Sequence, residues 1–116
     1  MSSKRDAQTL QKIIDRIDRT ARYCENVSFD AFQSDMMLQE ACVFNVLQIG
    51  ELSKQGLSEE LVAAHPDIPW KQMYGMRNRI VHGYDGVRLR IVWETITDSF
   101  PELRQQLQRI LSGLTI

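Results

Sequence analysis

The twelve-residue stretch LQEACVFNVLQI, residues 38–49, decides what kind of fold this sequence can form. Eight of its twelve residues are apolar, which is too many for the single stripe of an ordinary surface helix. They are Leu38, Ala41, Cys42, Val43, Phe44, Val46, Leu47 and Ile49. A helix that is apolar on several faces must be covered on several faces. The stretch therefore predicts a central helix of a bundle, or one that also lines a subunit interface.

A break at residues 26–30 supplies candidate N-caps for the helix that contains this stretch, and Asp30, with Gln33 three residues later, has the spacing of a capping box. The helix should run to about Gln55 and end at Gly56. Before it, apolar residues recur every three or four positions, as on one face of a helix. These residues are Ala7, Leu10, Ile13, Ile14, Ile17, Ala21 and Cys24.

Three further helices are predicted after Gly56. Ser58 caps a short one over EELVAAH, and Pro69 stands in the first turn of the next, WKQMYGMRNRIVH, whose tryptophan and methionines are expected in the core. Gly83 should end that helix and leave Tyr84 and Asp85 in a turn. Another helix is expected to start near Val87.

A capping box, SFPE at 99–102, then predicts the start of a last helix. No stretch has the pattern of a strand pair. The expected fold is all-α, an antiparallel bundle of four to five main helices in a single domain spanning residues 1–116.

The charge of the chain is −1, so the protein as a whole offers no basic field for nucleic acid. Residues 77–90 differ, because they hold four arginines and one aspartate, a local charge of +3. The arginines are Arg77, Arg79, Arg88 and Arg90. They are either simply solvated or form a patch for an anionic partner, and composition does not decide between the two.

Cys24 and Cys42 show no metal-ligand or redox spacing, which favours buried free thiols. The first ten residues contain no apolar run of signal-peptide length, and no stretch is long and apolar enough for a membrane span. A cytoplasmic protein is expected.

The segment RNRIVHGYD, residues 77–85, concentrates the side chains that could carry chemistry. Arg77 and His82 lie roughly 140° apart around an ideal helix, whereas Asn78 and His82 share a face. His82 falls in the last helical turn, where it either satisfies free carbonyls or acts as an acid or base.

Cleaving RNA without a metal needs a base, an acid and cations for the phosphate. One chain supplies one motif histidine, so such a site would need two chains related by a two-fold axis.

Glu51 could orient an arginine of the motif helix, although an exposed glutamate near a helix end is the commoner case. His65 has no acidic or thiol neighbours in metal-ligand spacing, and neither a phosphate loop nor a nucleophile elbow is present. No metal or cofactor is therefore expected.

The motif RNRIVHGY resembles the R-x4-H-x-Y signature of HepT-like proteins, a branch of the HEPN superfamily. IGE at 49–51, IPW at 68–70, VW at 92–93 and PEL at 101–103 occur in the same order as in that family. The resemblance covers essentially the whole chain. It implies a HEPN-like helical fold and a dimeric, metal-independent endoribonuclease, the toxin of a toxin–antitoxin pair.

In such a pair the antitoxin is an MntA-like minimal nucleotidyltransferase that transfers AMP to the motif tyrosine. The resemblance implies catalytic roles for Arg77, Asn78 and His82, and AMPylation of Tyr84. Arg79 and Arg88 are expected to bind RNA phosphate. The alternative is a non-catalytic helical partner of a nucleotidyltransferase that binds nucleotide or RNA.

Overall fold

The computed structural model of the chain describes residues 2–83 and 87–114. The described residues form helices and no strand. The helices are α1 (Ser2–Tyr23), α2 (Phe29–Gln33), α3 (Met36–Gln55), α4 (Glu59–Ala64), α5 (Trp70–His82), α6 (Leu89–Glu94) and α7 (Phe100–Leu114). The predicted all-α class is therefore confirmed.

Helix α3 is the central helix that its apolar sequence predicts. It contacts α1, α2, α5 and α6, and its buried residues, from Cys42 to Ser53, cover one broad face of about 160°. Buried Asn45 accepts a hydrogen bond from Arg16 of α1 at 2.9 Å and donates one to the carbonyl of Ala41. Both the oxygen and the nitrogen of the Asn45 amide therefore have a hydrogen-bond partner.

Helices α1 and α3 run antiparallel. Arg5 donates to the carbonyl of Gln55 at one end of the pair, and Cys24 meets Cys42 at the other. Leu10, Ile13, Ile14 and Ile17 of α1 are all at most 3% exposed, so the predicted apolar face of this helix lies in the core. At the edge of this face, α1 is tied to α7 by two hydrogen bonds from Arg104 to the carboxylate of Asp18, at 2.6 and 3.1 Å.

A helix begins at the break predicted at residues 26–30, but the predicted capping box at Asp30 and a single helix to Gln55 are wrong. Ser28 caps the short α2, and Asp35 caps a separate α3 by accepting from the backbone N–H of Leu38 at 3.1 Å. Gln39 donates to the last carbonyls of α2, which satisfies the end of the short helix. The two capping side chains, Ser28 and Asp35, are seven residues apart and divide the segment into two helices.

The last helix α7 begins directly after Ser99, as predicted, but Ser99 does not cap a free helix end. Thr95–Ser99 forms a π-helical turn that joins α6 to α7, and the N–H of Phe100 donates to the carbonyl of Thr95, five residues earlier. Pro101 has no N–H, and its ring crowds the carbonyl four residues back. A wider turn before the proline relieves this crowding, so the helix continues where the capping signal predicted a break.

The bounds of the other helices follow the sequence prediction closely. Ser58 caps α4 as expected, Gly56 follows the end of α3, and Gly83 follows α5. Pro69 precedes α5 as its N-cap rather than standing inside the first turn, and α6 begins at Leu89. None of the described helices is long and apolar enough to cross a membrane.

Candidate active site

Helices α3 and α5 cross closely at Gly50. A Cβ built on this glycine would lie 2.6 Å from the Cβ of Arg77 and 3.0 Å from the carbonyl oxygen of Met73. Real Cβ atoms do not approach other carbons this closely, so only glycine permits the observed separation of the two helices. The crossing brings the side chain of Arg77 alongside the residue that follows Gly50.

Glu51 forms an ion pair with Arg77 across this crossing. The Nε–H of Arg77 donates to Oε1 of Glu51, and Nη1 donates to Oδ1 of Asn78 at 2.8 Å. The Arg77 and Glu51 side chains are only 22% and 27% exposed. The structure therefore supports the interpretation in which Glu51 orients Arg77, and not the commoner case of an exposed glutamate near a helix end.

Tyr74 supports the same crossing one turn before Arg77. Its hydroxyl donates to the carbonyl of Ser53 on α3 at 3.4 Å, and burial raises the pKa of this phenol above its usual value. A raised pKa keeps the hydroxyl protonated as a donor. Ser53 in turn is buried and donates to the carbonyl of Ile49 at 2.7 Å.

His82 is exposed in the last turn of α5. Within residues 2–83 and 87–114, no hydrogen bond joins it to Arg77 or Asn78. The structure therefore brings Arg77, Asn78 and Glu51 together within one chain. His82 lies at the end of the same helix, five residues after Arg77. Tyr84, with the turn predicted for it and Asp85, lies outside the described residues.

The remaining arginines of the basic segment have different surroundings. Arg79 and Arg88 line a depression of about 360 Å³ together with apolar side chains and no acidic residue. Arg90 stacks over the ring of Phe29 at 4.1 Å, where its cation is attracted by the aromatic face. Two of the four arginines are thus engaged by α2 or α3, and two face an open surface.

A larger cleft of about 690 Å³ lies between α3, α5 and the continuous helix 89–114, and sequence reasoning missed it. Its walls are largely apolar and include Val46, Ile49, Met73, Met76, Ile91 and Phe100. Arg79 and Lys71 are the charged residues that line it. Gly75 also lines the cleft, and a Cβ built on it would have no atom within 4 Å. A glycine inside the predicted helix was the one feature of the sequence that pointed to this cleft.

Comparisons with known proteins identify the family of this chain. A model of the ribonuclease HepT-like family matches residues 13–110. The chain belongs to this family. The family and the HEPN-like helical fold predicted from the order of motifs are confirmed, and so is the ribonuclease class that the family description carries.

Two relatives illustrate the similarity. "Putative RNase" of Caldanaerobacter subterraneus subsp. tengcongensis is 37% identical over 102 residues, which cover 88% of this chain and 90% of that protein. "Probable ribonuclease HepT" of Thermococcus cleftensis is 30% identical over 101 residues, covering 87% and 91% of the two chains. No solved structure shows a significant match to the chain.

The close crossing of α3 and α5 predicts that alanine affects stability differently at Gly50 and at Gly75. Gly50→Ala should destabilise the protein by about 1–3 kcal/mol, because its methyl group forces α3 and α5 apart. Gly75→Ala, in open space on α5, should be neutral or stabilise by up to about 1 kcal/mol through helix propensity. Urea unfolding of both variants measures the difference, and equal midpoints would show that the crossing is not constrained at Gly50.

Proposed function

We propose that this chain is a metal-independent endoribonuclease toxin whose active site combines residues from two copies of the chain. The observation that carries the proposal is the Arg77 side chain held by Glu51 and Asn78 beside the helix end that presents His82. Nη2 of Arg77 donates no hydrogen bond within the described residues, which leaves it for a phosphate oxygen. A guanidinium fixed in advance stabilises developing phosphate charge without reorganising during the reaction.

The proposed chemistry assigns His82 to proton transfer. One histidine removes the proton from the ribose 2′-OH, and a second protonates the leaving 5′-oxygen. Because each chain contributes one motif histidine, two copies must place their helix ends around one RNA strand. The proposed mechanism uses histidine and arginine alone.

Exposed apolar side chains flank the Arg77–Glu51 pair and support association through this side of the molecule. Phe44 is 51% exposed and precedes Glu51 by seven residues, which places both on nearly one face of α3. Val81 is 53% exposed and follows Arg77 by one turn of α5. A second copy covering these side chains would bring its own motif helix next to the first.

Arg79 and Arg88 are proposed to bind the RNA backbone next to the reacting phosphate. The depression they line contains no acidic side chain, so its charge complements an anionic strand. We propose that the substrate is cellular RNA and that the protein acts in the cytoplasm.

Tyr84 is proposed as the off-switch. Helix α5 ends at His82, and Tyr84 follows two residues later in the sequence, after Gly83. AMP transferred to its hydroxyl by an MntA-like nucleotidyltransferase antitoxin would add a negative phosphate and a bulky nucleoside near His82 and Arg77. RNA would then be repelled by like charge and excluded by volume.

His82→Ala tests the proposed catalysis. It should abolish RNA cleavage and growth arrest while leaving a folded dimer, because His82 is exposed and supports no packing. His65→Ala, which changes the other histidine of the chain, should cleave as the parent does. Cleavage assays and light scattering measure both. Full activity of His82→Ala, or a monomer at micromolar concentration for the parent, would contradict the composite site.

Arg79→Ala combined with Arg88→Ala tests the proposed RNA contact. With two phosphate contacts removed, RNA affinity should fall and the slope of log affinity against log salt should decrease by about 1.4 for a single strand. Arg19→Ala, an exposed arginine of α1, should leave both quantities unchanged. Titrations at several salt concentrations distinguish these outcomes, and an unchanged slope in the double variant would refute the assignment.

Tyr84→Phe tests the switch. The parent chain, co-expressed with an MntA-like nucleotidyltransferase, should gain the mass of one or more AMP groups and lose its toxicity. Tyr84→Phe should gain no mass and stay toxic, whereas Tyr23→Phe, at an exposed tyrosine of α1, should behave as the parent does. Intact mass spectrometry gives the result directly, and AMP found on the Tyr84→Phe chain would place the modification elsewhere.

A further inference from the structure

The two cysteines of the chain meet at the end of the molecule opposite the helix crossing. Cys24 lies in the turn after α1, Cys42 lies in α3, and their sulfur atoms are 3.6 Å apart. Both are free thiols. Cys42 precedes Gly50 by eight residues, about 12 Å along the helix axis, so the pair is separate from the proposed active site.

The environments of the two thiols differ in a way that gives each a distinct role. Cys42 is 0% exposed, whereas Cys24 is only partly buried, so a small oxidant reaches Cys24 first. A hydrogen bond from Cys42 lowers the pKa of Cys24, and desolvation opposes this only in part. The hydrogen bond to Cys24, together with burial, raises the pKa of Cys42. Cys24 is therefore the thiol that ionises, and the thiolate is the reactive form.

We propose that Cys24 and Cys42 form an oxidisable pair, in which a hydroperoxide oxidises Cys24 and Cys42 then closes a reversible disulfide. In the first step the Cys24 thiolate attacks one oxygen of hydrogen peroxide. An S–O bond forms, the O–O bond breaks, and the hydroxide that leaves takes a proton to become water.

In the second step the sulfur of Cys42 attacks the sulfur of the Cys24 sulfenic acid. An S–S bond forms, the S–O bond breaks, and the thiol proton of Cys42 leaves with the hydroxide as a second water. Two thiols lose two electrons in total, and one peroxide is reduced to two waters.

The geometry requires only a local movement. The sulfurs must approach from 3.6 Å to about 2.05 Å, the length of a disulfide bond. The N–H of Cys24 still donates to the carbonyl of Thr20 in α1, but the residue itself begins the turn after this helix, and its carbonyl accepts from the N–H of Val27. Adjustment of this turn closes the gap without moving α3. The bond would tie the end of α1 to the central helix and reduce the freedom of the unfolded chain.

Peroxide treatment of the reduced full-length protein tests the proposal. The intact mass should fall by two hydrogen atoms, non-reducing peptide mapping should place a bond between Cys24 and Cys42, and the midpoint of thermal unfolding should rise. Dithiothreitol should reverse all three changes. Mapping also separates oxygen added to the exposed Met36 and Met37 from cysteine oxidation.

Two matched variants assign the roles. Cys42→Ser should stop at a sulfenic acid on Cys24, which a dimedone probe traps with a single addition. Cys24→Ser should react with neither peroxide nor dimedone at Cys42 under the same conditions. Equal labelling of the two variants would overturn the assigned order. A parent protein that keeps both thiols, or links only between chains, would overturn the pair itself.

Discussion

The close contact of α3 and α5 at Gly50 is the constraint on which the proposed site depends. The absence of a side chain at Gly50 lets the backbone of one helix approach Arg77 of the other. This approach allows Glu51 to reach the guanidinium, and Asn78 accepts a second hydrogen bond from it. The triplet Ile49, Gly50 and Glu51 thus combines a core residue, a contact point and an orienting carboxylate in one helical turn.

The ion pair between Arg77 and Glu51 fixes the position of the arginine more than it stabilises the fold. A partly exposed ion pair contributes little free energy of folding, because its Coulomb attraction is screened and its side chains lose entropy. Its value is that Arg77 keeps one orientation before any ligand arrives. A lysine at position 77 would keep the charge and lose the planar set of donors that Glu51 and Asn78 hold.

The sequence allowed the helical class, the central place of α3 and the motif residues to be predicted, since periodicity and short motifs are local signals. It did not reveal the break at Asp35, because Asp30 and Asp35 are both good capping residues and only packing selects between competing caps. The partnership of Glu51 with Arg77 was undervalued for a related reason. Spacing within one helix gives angles around that helix and not distances to another. The cleft beside α5 was missed because it is formed by three segments far apart in the chain.

The π-helical turn at Thr95–Ser99 explains how one helix keeps a single buried face from α6 to α7. The buried positions extend over nineteen residues in five turns: Val92, Ile96, Phe100, Leu103, Leu107 and Leu111. Five ideal α-helical turns hold about eighteen residues, so in a regular helix Leu111 would be rotated by about 100° relative to Val92. The wide turn absorbs one residue and restores the register. Positions 95–99 are therefore where this helix tolerates a change of length, because deleting one residue there would convert the π turn into plain α-helix and leave the buried faces of its two ends in phase.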